Sequence, residues 1–340
     1  MDRELNILVA KEVFPPGLAR ARELAGDGLV DCITPFARDT ILPKAQIAGR
    51  TVLFADFAPG NLSEMARLEW FQLGSAGYEQ LQGLPLREMG VRVTIGSGVN
   101  DIPIAEWCVQ MMLMFERDML GLLENQRERV WDRSARFQSE LWGRRVGILG
   151  YGNIGRHVAR LCHCLGLEIW AMNRARECAP RPIGPRAHRF TVAGTGDPEG
   201  ALPERTFTPD QMADFLPHLD YLILTLPLTP ATRGILGERE LRLMRPSAFL
   251  LNPSRGPLVE EFALLRALQE GWIAGAALDA HYQYPLPPEH LLWGLPNVIL
   301  TPHVSGSSAS RYYLARLWEL FTCNLERYLG SQSLLNELSF

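Results

Sequence analysis

Residues 146–155 read VGILGYGNIG, and no other stretch constrains the fold as much. An apolar run, 146–149, ends at Gly150. Gly152 and Gly155 complete a G-x-G-x-x-G, and residues 156–165 continue at helical spacing. The pattern predicts a strand, a tight turn and a helix. With 30 glycines in 340 residues a bare match is cheap, so the local context carries the weight. In that context glycines let the backbone approach a pyrophosphate, which rests on the helix N-terminus. Gly150, Gly152, Asn153, Ile154 and Gly155 are therefore expected to bind a dinucleotide.

The rest of the composition mainly excludes. A formal net charge of -4 gives no basic footprint for nucleic acid or an anionic membrane surface. No run of about 18 apolar residues predicts a membrane span. The N-terminus, MDRELNILVA, is charged and then strand-like rather than a secretory leader. None of the six cysteines pairs in a C-x-x-C. Cys162 and Cys164 flank His163 on the expected helix, where residues two apart point to different sides, so no metal site is expected. Reduced thiols and a cytoplasmic location are the expectation. His157, His163, His188 and His218 lack a partner motif and read as structural.

A length of 340 residues suits two domains. Short apolar runs at 5–10, 51–54, 68–73 and 91–94 alternate with helical stretches, as in a parallel sheet with helices on both faces. A long helix is expected over 104–123, entered through Asn100, Asp101 and Pro103. A second series follows, with strands at 145–149, 167–172, 221–226, 248–251, 273–278 and 298–300. Residues 308–328 close the chain as a helix. The fold class is α/β, with two doubly wound parallel-sheet domains and a cleft between them. One is a discontinuous substrate domain, 1–102 plus 304–340, of flavodoxin-like type. The other is a Rossmann cofactor domain, 103–303. Residues 174–209 break the rhythm and read as a surface insertion.

The second strand of the cofactor domain usually ends in an acidic residue that binds the ribose hydroxyls. Here Asn173 stands there, followed by Arg174 and Arg176. Asparagine removes the repulsion of a 2′-phosphate, and the guanidinium forks can bind one. NADP(H) is expected over NAD(H). Downstream, Arg255 in LLNPSRGPL follows a buried strand and His303 in LTPHVSG follows another strand. Open α/β sheets place their sites at such strand ends. An arginine holds a carboxylate and polarises a carbonyl, and a histidine gives and takes a proton near neutrality.

Several segments, in order, resemble the D-isomer-specific 2-hydroxyacid dehydrogenase family, nearer its glyoxylate/hydroxypyruvate reductases. They are SAGYEQL from Ser75, GSGVNDIPIAEW from Gly96, GYGNIG, LPLTPATRGIL from Leu226, NPSRG and TPHVSG. The resemblance implies that Arg255 binds and polarises a 2-oxo acid and that His303 is the acid/base. It implies that Ser75, Ala76 and Gly77 form the substrate-carboxylate loop. Pro227, Thr232, Pro253 and Asp279 would join the cofactor site. The helix rich in Trp107, Met111, Met112, Met114 and Phe115 would be core or a subunit interface, and a homodimer is implied.

One departure from the family bears directly on the histidine's partner. Its L-D-V-F-x-x-E-P becomes LDAHYQYP here, so Tyr284 stands where a glutamate would pair with the histidine. A glutamate would stabilise the charged imidazole; a phenol can orient it but supplies no charge at neutral pH. Either Tyr284 orients His303 or contacts substrate, or the chemistry is altered or lost. Retention of Arg255, His303 and the glycine loop favours a working reductase that uses NADPH to reduce a small 2-oxo acid. A phosphite- or phosphonate-type dehydrogenase and a non-catalytic NAD(P)(H)-sensing corepressor are the alternatives.

Overall fold

The computed structural model describes residues 5–174 and 188–338. They divide into two compact units. The first comprises the described parts of 5–100, 188–193 and 308–338. Its strands are β1 (Ile7–Ala10), β2 (Val30–Cys32), β3 (Val52–Ala55), β4 (Trp70–Leu73) and β5 (Arg92–Thr94). They form one parallel sheet in the order β2-β1-β3-β4-β5. Every residue of β1, β3 and β4 is buried, as expected where both faces are covered. The helices are α1 (Pro15–Ala25), α2 (Lys44–Ile47) and the last of the chain, α9 (Arg311–Leu329).

Phe54 of β3 stacks on Phe321 of α9 at 4.3 Å, and Trp318 meets Phe54 edge-on at 5.3 Å. Full burial of each such phenyl ring contributes roughly 1.5–3 kcal/mol. Phe190 joins this core, and its N–H donates to Asn336 Oδ1 at 3.1 Å. The short strand β2 carries no apolar alternation and escapes sequence reading.

The second unit comprises the described parts of 101–174 and 194–307. Its strands are β6 (Arg145–Leu149), β7 (Glu168–Met172), β8 (Arg205–Phe207), β9 (Tyr221–Leu224), β10 (Phe249–Asn252), β11 (Gly275–Leu278) and β12 (Val298–Leu300). The order β12-β11-β10-β9-β6-β7-β8 is parallel throughout and reverses at β6. That reversal point is where doubly wound sheets place ligands. The helices are α3 (Asp101–Glu116), α4 (Met119–Glu128), α5 (Asn153–Cys164), α6 (Met212–Phe215), α7 (Glu238–Leu243) and α8 (Glu261–Gln269).

The single helix expected over 104–123 is two helices. Asp118 adopts a left-handed conformation, φ 39°, and its carboxylate caps α4 by accepting from Gly121 N at 3.2 Å. Aspartate tolerates that backbone conformation and offers a local acceptor. Trp107, Met111 and Met112 face the core, which settles the apolar stripe as packing at those positions. Strand β8 lies inside the stretch expected to be loop. Among the described residues no helix is long and apolar enough to cross a membrane.

Candidate functional site

The glycine loop follows β6, and α5 starts at Asn153 with Gly152 as its N-cap. Gly150 has φ +104°, which disfavours any side chain. A Cβ there would sit 2.9 Å from the Thr225 carbonyl oxygen, and one at Gly155 would sit 2.5 Å from that of Gly150. At these two positions of the loop only glycine fits. The loop leads into a 12-residue helix whose first N–H groups can face an anion. These features suit a dinucleotide pyrophosphate. Asn153 and Ile154, half-buried, form the first turn of α5.

Residues 195–202 brace this loop. The Tyr151 hydroxyl donates to Asp197 Oδ2 at 2.6 Å, and Arg156 Nη1 donates to the Asp197 and Pro198 carbonyls at 2.6 and 3.0 Å. Burial, reinforced by the Asp197 bond, pushes the Tyr151 phenol up, so it remains a donor. His157 bridges the Asn153 carbonyl and Thr195 Oγ1, a structural role as its sequence context suggests. Part of the apparent insertion is therefore packed against the glycine loop.

Asn173 directly follows β7 and is 8% exposed. Its Oδ1 accepts the Tyr151 N–H at 2.7 Å, tying the acidic-residue position to the glycine loop. Arg174 is exposed beside it. Arg176 lies outside the described residues. After β9, Thr232 Oγ1 donates to the Pro227 carbonyl at 2.7 Å and accepts from Thr229 N at 2.8 Å, closing the turn on that side. Pro253 is buried directly after β10.

The candidates Arg255, Tyr284 and His303 follow the C-terminal ends of β10, β11 and β12. Asn252 Nδ2 donates to the Arg255 carbonyl at 2.8 Å and shapes the turn that presents the half-buried Arg255 side chain. Asp279 is fully buried, and its carboxylate accepts from Thr301 Oγ1, Val304 N, Ser305 N and Ser305 Oγ. Asp279, which the resemblance puts in the cofactor site, thus organises the loop that carries His303. His303 itself has φ +58° and is exposed. The Tyr284 ring lies 5.4 Å from the His303 ring, centroid to centroid. Its hydroxyl accepts the His281 N–H at 3.1 Å. Tyr282 donates to the Val259 carbonyl at 3.1 Å, and burial pushes its phenol up.

In the first unit, Ser75, Ala76 and Gly77 follow β4. Ser75 Oγ donates to the Gly77 carbonyl at 2.7 Å and accepts from Gln80 Nε2 at 2.8 Å. The Tyr313 hydroxyl donates to the Gly74 carbonyl at 3.0 Å. Lys11, after β1, pairs with Asp56, after β3, at 2.7 Å. Sequence reading missed Lys11, Asp56 and Tyr313. Both members of the ion pair stand at strand ends, and that rule could have flagged them.

A family model described as "D-isomer specific 2-hydroxyacid dehydrogenase, NAD binding domain" matches residues 109–305. A glyoxylate reductase of Aeropyrum pernix is 31% identical over 312 residues, covering 89% of this chain and 87% of the relative. A solved structure from Thermus thermophilus superposes with a TM-score of 0.73 at 26% identity, covering 98% of this chain and all of the other. An NADPH-dependent glyoxylate/hydroxypyruvate reductase of Sinorhizobium meliloti, solved with NADP and sulfate, shares the fold at a TM-score of 0.74 and 23% identity, with 98% of each chain covered. The glyoxylate reductase relatedness favours neither the phosphite-type nor the corepressor alternative. With a family match over more than half its length and a relative along most of it, the chain belongs to the D-isomer specific 2-hydroxyacid dehydrogenases, oxidoreductases acting on a CH–OH group with a nicotinamide cofactor.

Proposed function

We propose that this chain is an NADP(H)-preferring, D-specific 2-oxo acid reductase acting on a small acid such as glyoxylate or hydroxypyruvate. The observation that carries the reading is the pair Arg255 and His303 at the ends of parallel strands, with the His303 loop held by the buried Asp279 carboxylate. The glyoxylate reductase relatives support the substrate class. When bound, the nicotinamide supplies a hydride to the C2 carbonyl carbon. Arg255, permanently charged and planar, holds the substrate carboxylate and polarises the carbonyl. His303 gives a proton to the developing alkoxide oxygen. Ser75, Ala76 and Gly77 are proposed carboxylate contacts of the first unit. Gly150, Gly152, Asn153, Ile154 and Gly155 hold the pyrophosphate, Arg174 and Arg176 the 2′-phosphate. Pro227, Thr232 and Pro253 line the same cofactor site. The two units are proposed as substrate and cofactor domains. NADPH oxidation over a panel of 2-oxo acids tests the reading, and turnover of none of them overturns it.

Tyr284 sets how far His303 favours its charged form. Reduction uses the protonated imidazole, so the rate falls as pH rises through its titration. A carboxylate beside the ring favours the imidazolium. Tyr284→Glu is therefore expected to move the alkaline limb of the kcat/KM profile upward by about one pH unit. An unmoved limb would remove Tyr284 from that role.

A homodimer is proposed through the α3–α4 face. Helix α4 has no buried residue, yet it carries Leu120 and Leu123, and Leu113 at the end of α3 is 44% exposed. A surface helix normally buries its apolar stripe. Sedimentation equilibrium should give twice the chain mass, and Leu120→Glu should halve it. A monomeric wild type would refute the interface.

A further inference from the structure

One buried side chain is built to act through the reacting groups rather than on the substrate. His281 is 6% exposed. Its Nε2 lies 2.8 Å from the Thr301 carbonyl oxygen. A carbonyl only accepts, so the ring proton is on Nε2 and Nδ1 carries a lone pair. Nδ1 is buried and has no partner among the described residues. A buried acceptor without a donor weakens a fold. A phenyl ring would fill the same space with no orphaned atom, so stability does not explain an imidazole here.

The contacts of His281 do explain it. The Thr301 carbonyl that its Nε2–H holds also accepts the backbone N–H of His303 at 3.0 Å. That second bond closes the tight turn in which His303 takes its left-handed backbone, a conformation that persists only where neighbours enforce it. The His281 backbone N–H meanwhile fixes the Tyr284 hydroxyl, whose ring lies against His303. On its other side, the His281 carbonyl packs on the turn after Arg255. A Cβ at Gly256 would come within 2.6 Å of that oxygen. One residue thus touches the segments that carry Arg255, Tyr284 and His303.

We propose that His281 is a positioning residue for the reduction: its Nε2–H pins the Thr301 carbonyl and thereby sets the angle at which His303 meets the substrate. This rests on His303 being the proton donor. The test compares wild type with His281→Phe and His281→Gln. Glutamine returns an N–H at the place of Nε2; phenylalanine returns only volume. His281→Phe should lower kcat about tenfold or more, the scale seen when an orienting partner is lost. The melting temperature and the NADPH dissociation constant should stay near wild type. His281→Gln should restore kcat to within about threefold, since the orienting N–H is back. His281→Asn, whose shorter amide stops before the Thr301 oxygen, should behave like phenylalanine, so misfolding of one variant leaves the contrast intact. An active wild type with an indifferent His281→Phe overturns the inference alone. So does a glutamine variant as impaired as the phenylalanine one, or a loss of kcat that merely follows a loss of stability. A wild type inactive on every 2-oxo acid overturns the functional reading and this inference with it.

Discussion

Replacing His303 with asparagine should lower kcat/KM for 2-oxo acid reduction by about two to four orders of magnitude, the usual worth of a positioned general acid. Asparagine suits the test because it tolerates the left-handed backbone better than most residues, and His303 sits at φ +58°. The loop around it also stays anchored. Asp279 accepts from Thr301, Val304 and Ser305, none of which the substitution touches. Folding and cofactor affinity should therefore survive while proton donation is lost. Cofactor titration by nicotinamide fluorescence and a melting curve would separate the two. Retention of activity within tenfold of wild type would show that another group supplies the proton.

The second large effect concerns the cofactor. Asn173→Asp is nearly isosteric, and the new carboxylate can still accept the Tyr151 N–H that Asn173 Oδ1 now holds at 2.7 Å. The loop should keep its shape. What changes is charge: a carboxylate at the end of β7 repels a 2′-phosphate and accepts from ribose hydroxyls. A hydrogen bond to a charged group contributes roughly 1.5–3 kcal/mol, so the NADPH/NADH ratio of kcat/KM should fall by about ten- to a hundredfold. The wild type should start on the NADPH side. A wild type that prefers NADH would refute the assignment to Asn173 and Arg174.

Much of the fold was legible because its signals are local. In the second unit β6 and β12 fall where the apolar runs predict, and α9 lies within a few residues of the expected closing helix. Parallel strands covered on both faces, such as β6 beyond its first residue, are continuously apolar and so announce themselves. The failures have equally local causes. Strands β2 and β8 are short and carry few apolar residues, so pairing with a neighbour makes them strands rather than their own pattern. The break between α3 and α4 depends on one aspartate that caps instead of continuing a helix. Lys11 and Asp56 are 45 residues apart, and only the parallel pairing of β1 with β3 makes them partners.

By itself, the order of residues determined the strand–turn–helix at 146–155, the alternation that builds two parallel sheets, and the candidates Arg255, Tyr284 and His303. Each is written in contiguous spacing or in a motif at a strand end. Only the tertiary structure decided what those residues lean on. Asp279 turned out to hold the His303 loop, Asn173 to close the glycine turn, and His281 to pin the carbonyl behind His303. These are hydrogen bonds between groups some 20 residues apart or more, brought together by strand register. A directional bond of about 3 Å is set by that register and leaves no trace in local sequence.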